Sequence, residues 1–187
     1  MLSQLDRHSV EYCRKMYIGL FGDTHDHIDN VRHAVNIFNH FGCEYVLFAG
    51  DLVSPLVIPP LRRLRGRFIA CWGDNDGNRI GIEGGLKIVG EIGEPPFCIQ
   101  TTDGLRILLT HSPELARNQL ENIDVVVSSH THRSHLVTTA SGLISVNPGE
   151  CSGWISRKPQ VAILDTKTRK VEFIPLPEPP PVPDMAP

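Results

Sequence analysis

Aspartate and histidine residues recur along this 187-residue chain directly after short apolar segments. The first such segment is YIGLF at 17–21, which Gly22 separates from Asp23 and His25. A carboxylate and an imidazole placed this close together are suitable ligands for a divalent transition metal. Four later segments repeat the pattern, and all five together supply the candidate metal ligands Asp23, His25, Asp51, Asp74, His111, His130 and His132.

The apolar segments that precede these residues are typical of buried strands in an α/β sheet. Segments 17–21, 45–49 and 67–71 alternate with a helical pattern over 28–41 and a short Pro-initiated helix at 59–66. This β-α-β-α-β order predicts parallel strands with right-handed crossovers. Because ligands bind beyond the carboxyl ends of the strands in open α/β sheets, we expect the candidate ligands to meet in one cleft.

The second half of the chain has the pattern of antiparallel hairpins. Segments 97–110, 135–147 and 160–176 each contain two apolar stretches around a turn, and a further strand is predicted in 124–129. Parallel units followed by hairpins predict two packed sheets with helices outside. For the helix at 28–41, we expect a cap from Asp26 or Asp29 at its start and Gly42 at its end.

The ligand types and their number indicate the kind of metal site. Carboxylate oxygen and imidazole nitrogen without thiolate suit Mn, Fe, Zn, Co or Ni better than Ca. Seven ligands are too many for one four-coordinate ion but are sufficient for two ions that share a bridging carboxylate. The two pairs separated by one residue, Asp23 with His25 and His130 with His132, would each project to one side of an extended chain.

The ordered motifs resemble those of the calcineurin-like metallophosphoesterase superfamily. Its signature is D-x-H, G-D, G-N-[H/C]-[D/E], H and G-H-x-H. The corresponding segments in this chain are 23–25, 50–51, 73–76, 111 and 129–132. The small size, the lack of a cap domain and the sequence VNPGE at 146–150 are similar to the YfcE-type phosphodiesterase branch.

The resemblance implies an α/β (α+β) fold, a four-layer α/β/β/α sandwich of two mixed β-sheets flanked by helices, over residues 16–176. It implies a phosphoesterase, foremost a phosphodiesterase, in which a metal-bound hydroxide attacks phosphorus. The cofactors would be two divalent ions, foremost Mn²⁺, with Fe, Zn, Ni or Co as alternatives. The resemblance assigns one ion to Asp23, His25, Asp51 and His132, and the other to Asp51, Asp74, His111 and His130.

Two neighbouring residues depart from the superfamily pattern. Asp74 stands where the superfamily usually has Asn, and a one-residue shift that makes Asn75 the ligand remains open. Asn75 stands where many relatives have a His that helps to protonate the leaving oxygen, and an amide cannot act as a general acid. Asp76 or a metal-bound water would have to donate this proton. Asn75 and Asp76 are therefore the candidate catalytic residues, and we expect a preference for good leaving groups.

Composition narrows the choice of partners. The net charge of −3 gives no basic surface for a nucleic-acid duplex, and no apolar segment approaches the ~20 residues of a membrane span. Five cysteines without a C-x-x-C pair, together with the lack of a signal peptide, predict a cytoplasmic protein. The expected partner is a phosphate-ester substrate, either a small diester or a nucleotide-like molecule, and a homo-oligomer remains open.

The alternative function is a protein-interaction scaffold of the same fold, which binds metal but is weakly active or inactive. Complete retention of Asp or His at the ligand positions favours the enzyme. Outside the domain, we expect a flexible N-terminal extension at 1–15 and a disordered Pro-rich tail at 177–187.

Overall fold

The computed structural model describes residues 15–178. The predicted N-terminal extension and Pro-rich tail lie almost entirely outside this range. The strands in the described part are β1 (Tyr17–Phe21), β2 (Tyr45–Phe48), β3 (Arg67–Cys71), β4 (Gly90–Gly93), β5 (Phe97–Gln100), β6 (Arg106–Leu109), β7 (Val125–Val127), β8 (His135–Thr138), β9 (Ile144–Asn147), β10 (Gln160–Asp165) and β11 (Lys170–Pro175). The helices are α1 (Ile28–Phe41), α2 (Ile58–Leu61), α3 (Arg79–Leu86), α4 (Pro113–Ala116) and a 3-10 turn (Pro55–Val57).

Two mixed sheets form the centre of the molecule. The first has the strand order β11-β10-β1-β2-β3-β4, and the second has the order β5-β6-β7-β9-β8. Strands β1 to β4 are parallel, whereas β10 pairs antiparallel with β1 and β11 pairs antiparallel with β10. In the second sheet, β6, β7 and β9 are parallel, and β5 and β8 are antiparallel edge strands. The last predicted hairpin therefore returns to the first sheet.

The sheets pack face to face because alternate residues of β1 point to opposite sides. Ile18 and Leu20 contact the apolar face of the second sheet, while Phe21 points towards α1. The side chains of all three residues are fully buried. Burial of each such side chain stabilises the fold by roughly 1.5–3 kcal/mol. The predicted α/β/β/α sandwich is confirmed, with α4 as a single-turn outer layer over Leu108 and Val126.

The start of α1 differs from the prediction, whereas its end agrees with it. His27 is the N-cap, and its Nδ1 accepts a hydrogen bond from the backbone N–H of Asn30 at 3.3 Å. Asp26 instead accepts hydrogen bonds from Ser54, so its carboxylate is turned away from the helix. The predicted N-caps, Asp26 or Asp29, were therefore wrong. Gly42 has a φ of +66° and ends the helix as predicted.

The sequence pattern does not predict α3 and β4, and it predicts the end of α2 too late. Three glycines within RIGIEGGL weaken the helical pattern of α3, which begins where the Asn78 side chain accepts a hydrogen bond from Gly81. The helix α2 ends at Leu61 instead of continuing to the glycine at 66. No helix between residues 15 and 178 is long and apolar enough to cross a membrane.

Candidate metal centre

The seven candidate ligands lie in loops that follow the carboxyl ends of β1, β2, β3, β6 and β7, as expected. Backbone hydrogen bonds connect these loops to one another. The N–H of Asp23 donates to Gly50 at 3.0 Å, and the N–H of Ser129 donates to His111 at 2.9 Å. These bonds fix the relative positions of loops that are far apart in the sequence, so the side chains of the loops converge.

Five candidate ligands have a left-handed backbone conformation. The φ angles are +49° for Asp23, +39° for His25, +67° for Asp51, +68° for His130 and +58° for His132. The expectation that the two pairs separated by one residue lie on extended chain was therefore wrong. Non-glycine residues in this region cost about 1–3 kcal/mol each and are concentrated at functional sites, where the surrounding structure imposes them.

The first group of ligands consists of Asp23, His25 and His132, which offer ligand atoms within 4.8 Å of one another. Asp23 Oδ2, His25 Nε2 and His132 Nδ1 are buried and have no hydrogen-bond partner among the described residues. Such unsatisfied polar atoms are costly unless a further group pairs with them. Their occurrence on all three members of one group fits a bound cation.

The second group consists of Asp74, His111 and His130. His111 Nε2 lies 2.8 Å from Asp74 Oδ1, and His130 Nδ1 lies 3.3 Å from the same His111 nitrogen. On its other side, the His111 ring contacts the Ala49 carbonyl through Nδ1 at 2.7 Å. This carbonyl can only accept, so Nδ1 carries the proton and Nε2 is free to bind a metal.

Asp51 lies between the two groups. Its Oδ2 is 3.6 Å from His25 Nε2 in the first group and 3.5 Å from His111 Nε2 in the second. Its side chain is buried, and Asp51 also groups with Asp23 and His111. A carboxylate in this position can reach both ions of a pair. His130 and His132, although separated by only one residue, divide between the two groups.

The loop after β3 places two further polar residues next to Asp51. The backbone N–H and the side-chain amide of Asn75 donate to the two Asp51 oxygens at 2.9 and 2.8 Å. Asp76 accepts from the N–H of Val53 at 2.8 Å and from the N–H of Gly73 at 2.7 Å. Both Asp76 oxygens are therefore engaged with backbone, and this arrangement favours a loop-holding role over proton donation.

Burial and charge shift several pKa values in the site. Burial raises the pKa of Asp23 to about 6, and the charge of Asp51 adds to this effect. Burial lowers the pKa of His25. Burial also opposes protonation of His111, but Asp51 and the Ala49 carbonyl hold its pKa above the usual value. Asp23 is therefore harder to ionise than an ordinary aspartate, and positive charge in the site would favour its charged form.

No role of Glu150 is predicted from the sequence, although the segment VNPGE that contains it resembles the YfcE-type branch. The structure buries Glu150 completely and places its Oε1 3.4 Å from His132 Nδ1. The indication of Glu150 in the sequence was that an acidic residue ends VNPGE where the superfamily has Ser. In the same segment, the Asn147 amide donates to the Ser129 carbonyl at 2.9 Å and so braces the loop before His130.

Two cavities adjoin the centre. One has a volume of about 460 Å³, and its lining includes His132, its neighbours Thr131 and Arg133, and Ile155, Ser156 and Lys158. The other has a volume of about 370 Å³ and contacts the second group at Asp74, His111 and His130. Each group of ligands therefore has its own adjacent cavity.

Residues 16–169 match the calcineurin-like phosphoesterase superfamily domain. The chain belongs to this superfamily. A phosphodiesterase of Methanocaldococcus jannaschii is 34% identical to it over 164 residues, which cover 85% of this chain and 98% of that protein. Membership of the calcineurin-like phosphoesterase superfamily makes the chain a phosphoesterase-type hydrolase.

Solved structures of the superfamily agree with this assignment. An archaeal phosphodiesterase has a TM-score of 0.79 and 33% identity, with 86% of this chain and 100% of that chain covered. The phosphoesterase YfcE of E. coli shares the fold at a TM-score of 0.65 and 17% identity, with 85% and 98% covered. The predicted superfamily is therefore confirmed, and the likeness to YfcE shows a shared fold.

Proposed function

We propose that this phosphoesterase is a dinuclear-metal phosphodiesterase. The observation that supports this most directly is that two groups of Asp and His ligands lie on either side of Asp51. One ion would be held by Asp23, His25, Asp51 and His132, and the second by Asp51, Asp74, His111 and His130. When bound, the ions neutralise phosphoryl charge and lower the pKa of a water molecule to near neutral.

The donor set fits such ions. Three buried polar atoms of the first group form no hydrogen bond within the described part of the chain, and no thiolate takes part in either group. Oxygen and imidazole ligands support Mn²⁺, with Fe, Zn, Ni or Co as alternatives. The position of Asp74 supports its assignment as a ligand, because its Oδ1 lies 2.8 Å from His111 Nε2. The Asn75 side-chain amide instead donates to Asp51.

Residues around the ligands hold them in position. Asn75 donates two hydrogen bonds to Asp51 and so fixes the orientation of this carboxylate between the two groups. Gly73 allows this close approach, because an added Cβ would collide with Asp51 Oδ1. Neither Asn75 nor Asp76 offers a proton to the leaving oxygen in this geometry. We therefore infer that substrates with acidic leaving groups react fastest.

A protein-interaction scaffold is the less supported alternative. A scaffold has no need to keep ligand atoms buried and unpaired, since each costs about 1–3 kcal/mol.

The free thiols at Cys43, Cys71, Cys98 and Cys151 support the expectation of a reducing, cytoplasmic environment. A small diester or nucleotide-like substrate agrees with the two modest cavities.

Metal analysis combined with hydrolysis of bis(p-nitrophenyl) phosphate tests the proposal. We expect two equivalents of Mn²⁺ per chain and hydrolysis that chelator abolishes. His132→Ala should lose one equivalent and reduce kcat/KM by at least about 100-fold. His33→Ala is the matched control, because His33 is exposed on α1. Metal-independent hydrolysis, or binding of two ions with no hydrolysis under any of the five metals, would overturn the proposal.

A further inference from the structure

The cavity beside His132 carries positive charge in an acidic protein. Its lining includes Arg133 and Lys158, which face it from two different loops, and includes no carboxylate. Both side chains are exposed, and neither forms an ion pair with any residue between 15 and 178. The net charge of the whole chain is −3. This cavity therefore combines two cationic side chains with a lining that contains no carboxylate to offset them.

Several other exposed arginines of the described chain pair with a neighbouring carboxylate, whereas Arg62, Arg63, Arg65 and Arg106 have no ion pair among residues 15–178. The paired examples are Arg32 with Asp29, Arg67 with Glu91, Arg79 with Glu94 and Arg169 with Asp124. The acidic residue nearest to the cavity, Glu150, is buried behind it and does not line it. The Glu150 oxygens accept hydrogen bonds from Ser152, Ile155 and Ser156. Its charge is therefore satisfied within the loop and leaves Arg133 and Lys158 available.

The second cavity has a different character. Leu115, Pro95 and Trp72 contribute to its lining, and its one arginine, Arg79, is paired with Glu94. Arg79 also lies over the Trp72 ring at 4.6 Å. This cavity offers apolar surface with its positive charge already compensated. The two cavities thus differ in the kind of group that each can accept.

We propose that the cavity beside His132 is a subsite for a second phosphate, carried by the retained arm of the diester substrate. The inference rests on the proposed phosphodiesterase function and extends it to a substrate class, nucleotide-like diesters with an additional phosphate monoester. The arginine fork binds phosphate through two parallel hydrogen bonds, and the lysine adds a point charge. A volume of about 460 Å³ lies within the roughly 300–1,000 Å³ of small-molecule sites.

Two chromogenic esters test this subsite. Thymidine 5′-(p-nitrophenyl phosphate) carries only the diester, and its 3′-phosphorylated form adds the second phosphate. For the wild type with Mn²⁺, we expect the 3′-phosphate to lower KM about 10-fold with kcat changed less than twofold. In the double variant Arg133→Ala/Lys158→Ala, we expect equal KM values for the two esters. An unchanged preference in the variant, or no preference in the wild type, would overturn the subsite.

A charge-matched control and a binding measurement complete the test. Lys167→Ala/Lys170→Ala removes two positive charges at the turn between β10 and β11, and this variant should keep the wild-type preference. Calorimetry should show that thymidine 3′,5′-bisphosphate binds about 10-fold more tightly than thymidine 5′-monophosphate, with the difference lost in the Arg133/Lys158 variant. If neither ester is hydrolysed, the proposed function fails, while the binding ratio still supports or overturns the subsite.

Discussion

Glu150 Oε1 lies 3.4 Å from His132 Nδ1, and this contact connects a buried carboxylate to a proposed metal ligand. The same oxygen accepts hydrogen bonds from Ser152 Oγ at 2.7 Å and from the Ile155 N–H at 3.0 Å. Burial opposes ionisation of Glu150, but these bonds and those from Ser156 hold its pKa at about 2. A full negative charge therefore lies against the imidazole at neutral pH, where it can orient the ring.

Glu150→Gln is expected to weaken metal binding at the His132 side of the centre about 10-fold, because partners that orient ligating histidines typically contribute 10–100-fold to affinity. Calorimetric titration with Mn²⁺ should show one weakened site and one unchanged site. Glu172→Gln is the matched control, since Glu172 is exposed on β11. Equal weakening in both variants, or none in either, would show that Glu150 has no orienting role.

The low pKa of Glu150 also predicts how stability depends on pH. Its folded-state pKa of about 2 lies below the ordinary 4.5, so its ionised form is stabilised by folding. This contribution, about 3 kcal/mol, is present above pH 4.5 and is lost as the pH falls towards 2. In chelator, urea unfolding should therefore show Glu150→Gln to be less stable than the wild type at pH 7, with the gap closing below pH 3. A gap that is independent of pH would contradict the assignment.

Asp23→Asn should change stability in the opposite direction. The pKa of Asp23 is raised to about 6 by burial, so ionisation destabilises the metal-free fold at any pH above that value. In chelator at pH 7, the variant should be more stable than the wild type by up to about 3 kcal/mol, and the difference should vanish near pH 4. With Mn²⁺ the order should reverse, because only the wild type keeps this ligand. A variant that is less stable in chelator at pH 7 would contradict the prediction.

Much of this site could be predicted from the sequence because its signals are local. Apolar segments such as 17–21 predict buried strands, and the polar residues that follow them must lie at one edge of the sheet. The conformation of the loops could not be predicted in this way. His25 and His132 adopt positive φ angles, and the i, i+2 spacing of the pairs to which they belong gives no indication of this.

The role of Glu150 was equally inaccessible to local patterns. Its partners lie two to six residues ahead in a loop without periodicity, and its contact with His132 spans two different strand connections. The helix α3 escaped detection for a related reason, since glycines lower its intrinsic propensity and packing of Ile82 and Leu86 supplies its stability.

Asp76→Asn separates a loop-holding role from proton donation. The two Asp76 oxygens accept hydrogen bonds from the backbone N–H groups of Val53 and Gly73. In the variant, the side-chain NH₂ group would face one of these N–H groups, so that two donors would oppose each other. We expect lower thermal stability and a loss of activity of about 10-fold that is the same for all leaving groups. Rates for a series of aryl phosphodiesters measure this. A loss that grows steeply with leaving-group pKa would instead identify Asp76 as the general acid.

Asn75 predicts the final kinetic property, a steep dependence of rate on the leaving group. Its side-chain amide is committed to Asp51 at 2.8 Å and has no titratable proton, so negative charge must develop on the departing oxygen. Across aryl phosphodiesters, log kcat should fall steadily as the leaving-group pKa rises, and alkyl esters should react slowest. Asn75→His should flatten this dependence by accelerating the poorest leaving groups, provided that two ions still bind. Asn75→Gln is the matched control, which keeps an amide but supplies no acid. A wild-type rate that does not vary with leaving-group pKa would contradict the assignment, because the leaving oxygen would then already receive a proton from another group.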